Sequence, residues 1–192
     1  MNYNAKMTLT PSNYSVLKKG DSAPEFELPG TDGKKHSLAQ YAGKKAYLVV
    51  FMCNHCPYVK PKMPYLKELQ DRYAGKGLQV FGISSNDTNA YPEDGFEMMK
   101  KVSKEKGFGF PYLLDESQGV ARAYGAACTP DPFLFDSQKR LVYHGRIDDA
   151  HGAPHESAKT NELEEAVKQA LEGKKASVKE EPSFGCDVKW KQ

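Results

Sequence analysis

The sequence predicts an α/β fold in which a central mixed β-sheet is flanked by helices on both faces, with an N-terminal extension and a C-terminal tail. Three observations predict it. Ala46-Tyr47-Leu48-Val49-Val50-Phe51-Met52 and Leu78-Gln79-Val80-Phe81-Gly82-Ile83-Ser84 are short apolar-rich runs of β-branched and aromatic residues, the pattern of buried strands. Between them, Tyr58, Met63, Leu66, Leu69 and Tyr73 share one side of a helical repeat, and a strand–helix–strand unit makes parallel neighbours. Later, Phe133-Leu134-Phe135 and Leu141-Val142-Tyr143-His144-Gly145-Arg146 flank the turn Asp136-Ser137-Gln138-Lys139, so these two strands are antiparallel and the sheet is mixed.

The elements follow in order. Residues 1–20 read as an irregular segment ahead of a domain spanning 21–173, with 174–192 as a charged tail. Ser22 to Pro29 is a short alternating strand fenced by prolines, and Asp32-Gly33 is a hairpin turn signal. Ser37 to Tyr41 is a helical turn stopped by Gly43. A helix is expected from Pro57 to Tyr73, kinked by Pro61 and Pro64 and stopped by Gly75 and Gly77. Asn86 to Asn89 is a loop. Asp94 to Lys106 is a helix with Phe96, Met99 and Val102 on one face. Pro111 to Leu114 is a short strand and Val120 to Tyr124 a short helix. Residues 148–159, with His151, Gly152, Pro154 and His155, form a loop, because Gly152 and Pro154 keep the two histidines off a common helix. Asn161 caps a last helix, with Glu164 three residues on, and Gly173 ends it after Leu171.

Composition narrows the function. The chain has 192 residues, enough for one domain with a full core, and a formal net charge of +2. No Lys/Arg block interleaves with aromatics, so nucleic acid is not an expected partner. No apolar run approaches a membrane span. The segment Met1-Asn2-Tyr3-Asn4-Ala5-Lys6-Met7 is polar, so no signal peptide and a cytoplasmic protein are expected. Four cysteines in a chain of this size are not a disulfide scaffold, and in a reducing compartment a Cys-x-x-Cys is redox-active or metal-binding.

That pair is Cys53-Asn54-His55-Cys56, followed by Pro57. Proline is favoured at the first helical position, which places both cysteines at the junction of a strand end and a helix start. Free N–H groups and the helix dipole favour an anion there. A thiolate is therefore stabilised, and the thiolate is the form that attacks disulfides or peroxides. The alternative reading of Cys53 and Cys56 is half a zinc site completed by Cys128, Cys186 or a histidine, although a second closely spaced pair is missing.

Together with the Cys-x-x-Cys, several motifs resemble the thioredoxin-fold superfamily, in its redoxin branch of peroxiredoxins and TlpA/ResA-type thiol oxidoreductases. These are Ala23-Pro24-x-Phe26-x-Leu28, Asp32-Gly33-Lys34, Ser37-Leu38, Gly43-Lys44, Pro61 five residues past Cys56, and Thr129-Pro130 ahead of the hairpin. The likeness runs from about Ser22 to Leu171. Cys-Asn-His-Cys-Pro-Tyr-Val and Gly185-Cys186-x-x-Lys189-Trp190 are similar to a peroxiredoxin-like group often labelled thiol-disulfide isomerase or thioredoxin. The resemblance implies a thioredoxin-like fold in which Thr129–Pro130 is a cis bond facing the cysteines. It also implies an exposed Cys53 that attacks, a deeper Cys56 that resolves, and a His55 that lowers the Cys53 pKa. The backbone beside Pro130 would pair with an extended substrate segment. Cys128 and Cys186 are candidate further redox thiols, with Cys186 folding back as a resolving cysteine and Phe184 and Trp190 as anchors. Lys60 and Lys62 flank the site and can steer acidic or thiolate partners.

Two departures bear on the reaction. Where peroxiredoxins place Pro and Thr before the peroxidatic cysteine, this chain has Val49 and Cys53, and the peroxide-polarising Arg maps near Pro130. Where thioredoxin has Trp and a buried Asp, this chain has Met52 and Tyr47. The expected activity is thiol–disulfide exchange on protein or small-molecule disulfides, supplied by a thioredoxin-type or low-molecular-weight thiol donor, with no cofactor and no metal. The alternatives are a weak thiol peroxidase, with Cys56 peroxidatic, and a non-catalytic redox sensor or zinc-binding adaptor.

Overall fold

The computed structural model describes residues 9–192; the polar segment read as lacking an apolar leader lies outside the described residues. The elements are β1 (Leu9–Pro11), β2 (Glu27–Pro29), β3 (Lys35–Ser37), β4 (Ala46–Phe51), α1 (Met63–Tyr73), β5 (Leu78–Ser84), α2 (Phe96–Lys106), β6 (Tyr112–Leu114), α3 (Gly119–Tyr124), β7 (Cys128–Thr129), β8 (Asp131–Asp136), β9 (Leu141–His144), α4 (Glu162–Leu171) and β10 (Phe184–Asp187). A five-stranded mixed sheet runs β6-β5-β4-β8-β9, parallel from β4 to β6 and antiparallel across β4, β8 and β9. The Asp32-Gly33 turn joins β2 to β3 as a hairpin, with Gly33 at φ +83°.

Strand alternation divides the core in two. Ala46, Leu48 and Val50 of β4 pack on one face with α1, α2 and α4 through Leu66, Leu69, Met99 and Val167. Tyr47, Val49 and Phe51 pack on the other with α3 and the N-terminal hairpin, through Tyr124, Phe26, Leu28 and Leu38. Helices thus cover both faces, as expected. Asn161 caps α4 by accepting from the Glu164 amide. Among the described residues, no helix is long and apolar enough to cross a membrane.

Several expectations are corrected. Regular helix does not begin at Pro57: residues 57–59 are turns, Lys60–Lys62 is a 3-10 turn, and α1 starts at Met63. Pro61 has no N–H to give to the carbonyl four residues back, which interrupts the ladder ahead of α1, whereas Pro64 falls in the first turn of α1, where proline is tolerated. Likewise α2 begins at Phe96, behind a 3-10 turn over Pro92–Asp94. Ser22 forms only an isolated bridge to Arg140, and the strand there is confined to β2.

The largest correction concerns the flanks. Residues 9–11 are not irregular and 184–187 are not part of a loose tail. They pair with β7 in a second sheet, of order β1-β10-β7, antiparallel throughout.

Candidate active site

β4 ends at Phe51, whose neighbours across the sheet are Ile83 and Asp131. The chain leaves the sheet through Met52, so Cys53 emerges beside the segment Cys128-Thr129-Pro130. The Thr129–Pro130 bond is cis, as the resemblance implies. Cys53 Sγ lies 3.7 Å from Thr129 Oγ1, and the Cys56 thiol donates to the Thr129 carbonyl at 3.2 Å. Cys53, Cys56, His55, Thr129 and Pro130 therefore form one site.

The exposed, activated Cys53 expected from the sequence is not what the structure places there. Cys53 and Cys56 are 1% and 0% exposed. Over Cys56 lies Cys186, whose Sγ sits 3.2 Å from Cys56 Sγ and whose residue pairs with Thr129 across β10 and β7, while Cys53 lies between Thr129 and His55. Cys56 is the thiol with the lowered pKa. Its bond with the Cys186 sulfur lowers it most, the bond with the Cys53 sulfur adds to this, and those with Thr129 and the Cys186 backbone add less, all against the cost of burial. The same bonds raise the partners. Cys53 is pushed up by its bond to Cys56, by burial and by the Asp94 charge. Cys186 is pushed up by its bond to Cys56 and by burial. Of the three clustered thiols, Cys56 is therefore the one most readily ionised.

His55 does not act as a lone cation beside Cys53. Its Nδ1 is 3.9 Å from Cys53 Sγ but donates to Asp94 Oδ2 at 2.6 Å, and its ring stacks on Tyr91 with centroids 5.3 Å apart. Asp94 is fully buried and also accepts from the Asn54 and His55 amides at 2.8 and 3.2 Å and from Asn86 Nδ2 at 2.8 Å. Burial opposes ionisation of Asp94, but the bonds from His55 and Asn86 overcome it and hold its pKa below the usual value. The bond to Asp94 in turn raises the His55 pKa against the effect of burial. The Nδ1 proton of His55 is thus directed at Asp94 rather than at the Cys53 sulfur.

Cys128 is buried, donating weakly to the carbonyls of Pro130 and Ser183 at 3.7 and 3.9 Å. Burial and then the Asp131 charge push its thiol up. Lys62 is not a steering cation: it is 1% exposed and bonded to Asp148 at 2.6 and 2.8 Å. His155 joins that pair at 2.8 Å and stacks on Tyr65, whereas His151 packs edge-on against Phe184 of β10. For a metal, Cys53 Sγ, His55 Nδ1 and an Asp94 oxygen lie within 4.8 Å of one another. Here Nδ1 already holds its proton toward Asp94, and a cation would have to displace that bond. Asp94, Asn86 and Tyr91 were missed by sequence reasoning, since a carboxylate before a helix carries no mark of a distant partner. Beside the site a cleft of about 750 Å³ is lined by Asp87, Tyr91, Asp187, Lys189 and Trp190.

A family model described as Redoxin matches residues 18–163. The chain belongs to the Redoxin family. This redoxin is 28% identical over 126 residues to the thiol-disulfide oxidoreductase ResA of Bacillus anthracis, covering 66% of the chain and 68% of that relative. A crystal structure of a hypothetical protein from Sinorhizobium meliloti 1021 is 41% identical, with a TM-score of 0.88 over 96% of this chain and 99% of that one. The thiol:disulfide interchange protein DsbE of Chlorobium tepidum, at 24% identity and TM-score 0.64 over 81% of this chain and 99% of its own, shares the fold. The redoxin match ends before β10 and starts after β1, so the sheet that covers the cysteines is built largely from outside the matched region.

Proposed function

We propose that this redoxin is a thiol-disulfide oxidoreductase working through Cys53 and Cys56. The observation that carries the reading is the placement of both sulfurs against a cis-proline segment, where hydrogen bonds hold the Cys56 pKa below the usual thiol value. The ResA relatives support the same reaction. In the reducing direction, Cys53 passes its proton to Cys56 and attacks a substrate disulfide. The mixed disulfide forms and one substrate thiolate leaves. Cys56 then attacks Cys53 Sγ, the second substrate thiol departs, and the Cys53–Cys56 disulfide remains. A thiol donor reduces it by the same steps, and the relative reduction potentials set the direction. Substrates are protein or small-molecule disulfides, and the donor is a thioredoxin-type protein or a low-molecular-weight thiol. Arg72, Arg140 and Arg146 are bonded to Glu68 and Glu164, to Gly20 and to Glu162, and Arg122 lies over Trp190. No guanidinium is thus assigned to a bound peroxide, which favours disulfide exchange over peroxidase chemistry.

Insulin reduction with dithiothreitol as donor tests this. Turnover is expected in the wild type and lost in Cys53→Ser, while Cys56→Ser accumulates a mixed disulfide at Cys53. Trapping at no cysteine, with no turnover in the wild type, would overturn the reading.

A further inference from the structure

We infer that Cys186 is a third thiol of the reaction, a further catalytic residue carried on a strand that occupies the substrate edge of the site. The inference rests on the oxidoreductase reading above and adds a second oxidised state, a Cys56–Cys186 disulfide.

The geometry is that of a tethered substrate. An extended peptide recognised beside a cis-proline adds a strand to that edge and is held by main-chain hydrogen bonds. Here β10 already does so, with Cys186 opposite Thr129 and Asp187 opposite Cys128. The seat is closely fitted. A Cβ on Gly185 would lie 1.9 Å from the Thr129 carbonyl oxygen, so only glycine lets the strand approach this near. Ser183 Oγ donates to the Pro130 carbonyl at 2.6 Å, and Ser183 exchanges two bonds with Ser12 at 2.8 and 2.9 Å. Beyond β10, the Lys189 amide donates to Asn86 Oδ1 at 2.9 Å and its carbonyl accepts from Gln118 at 2.8 Å. These contacts deliver one sulfur, Cys186 Sγ, to 3.2 Å from Cys56 Sγ. Cys56 is the central member of the trio, touching Cys53 on one side and Cys186 on the other.

The step balances without an added oxidant. Once substrate reduction has left a Cys53–Cys56 disulfide, Cys186 loses its proton and attacks Cys56 Sγ. The Cys56–Cys186 bond forms as the Cys53–Cys56 bond breaks. The electron pair leaves on Cys53, which takes up a proton. One disulfide is consumed and one is made. Cys53 returns to the thiol state while the oxidising equivalent waits on β10, and the disulfide then pins that strand over the site.

The test is a peptide map of the full chain, equilibrated in graded glutathione redox buffers, quenched in acid and alkylated. Wild-type protein is expected to yield Cys56–Cys186 peptides alongside Cys53–Cys56 peptides. Cys53→Ser is expected to yield only the Cys56–Cys186 bridge, and Cys186→Ser only Cys53–Cys56. A wild-type map with Cys53–Cys56 alone overturns the relay and leaves the oxidoreductase reading standing. A map with neither bridge overturns both.

Discussion

Gly185→Ala separates the covering strand from the chemistry, because it alters no thiol. The added methyl would sit 1.9 Å from the Thr129 oxygen and 2.6 Å from its carbonyl carbon, both of them backbone atoms. A flexible side chain could swing aside, but this carbonyl belongs to the cis-proline segment. The strand must therefore retreat by about 1 Å or more, beyond the small adjustments a packed interior absorbs. Overpacking of this kind costs about 1–3 kcal/mol. At about 1.4 kcal/mol per tenfold, that is roughly a 5- to 150-fold rise in the population with β10 undocked. The assay is the rate of iodoacetamide alkylation at Cys53 and Cys56, resolved by peptide mass. It should rise by the same factor, while far-ultraviolet circular dichroism retains the five-stranded sheet and its helices. Alkylation within twofold of wild type would refute the claim that β10 is what buries the two thiols.

Three further outcomes are expected. In reduced protein, ultraviolet thiolate absorbance should persist below the ordinary thiol range of about 8.5; Cys56→Ser should abolish that low-pH signal and Cys186→Ser should move it to higher pH. Asp94→Asn should lower the His55 pKa in an NMR titration. The raised His55 pKa contributes stability that is complete below about 6.5 and lost as pH rises through its folded value. The lowered Asp94 pKa contributes above about 3.9 and is lost as pH falls through its folded value. The wild type's advantage over Asp94→Asn in urea midpoint should therefore be widest between those limits and shrink on either side. Finally, Lys62 and Asp148 are a buried pair, 1% and 0% exposed at their side chains. Removing the lysine charge with Lys62→Met leaves the buried Asp148 with only His155 and the Ala150 amide as partners, at a cost of up to about 3–5 kcal/mol in urea unfolding, and adding Asp148→Leu should recover part of it.

The central fold was legible because its signals are local. The continuous apolar run through Ala46–Phe51, the Asp32-Gly33 turn and the Asn161 cap each act within a few residues and reappear in place. The run of Cys53, Cys56 and Thr129-Pro130 was equally readable as one site. What sequence could not supply was pairing between distant segments. β10 has four residues, one of them glycine and two of them Cys and Asp, a weak strand signal whose ladder is completed by β1 and β7. The same holds for charge. His55 was visible as a potential cation, but the carboxylate that neutralises it stands 39 residues away. Cys56 was read as the deeper, resolving thiol, and the Cys186 sulfur beside it, with Cys53 and Thr129, lowers its pKa. Lys62 was read as a steering cation, and the 3-10 turn ahead of α1 points it inward onto Asp148.

The distance along the chain between Cys56 and Cys186, 130 residues, also has a meaning in time. Chains are made from the N-terminus at about 5–20 residues per second, so Cys186 leaves the ribosome roughly 6 to 26 s after Cys56. Throughout that interval Cys53 and Cys56 exist without their lid. A nascent redoxin is thus an open dithiol first and a shielded one afterwards, so reagents present during translation should reach Cys56 before β10 covers it.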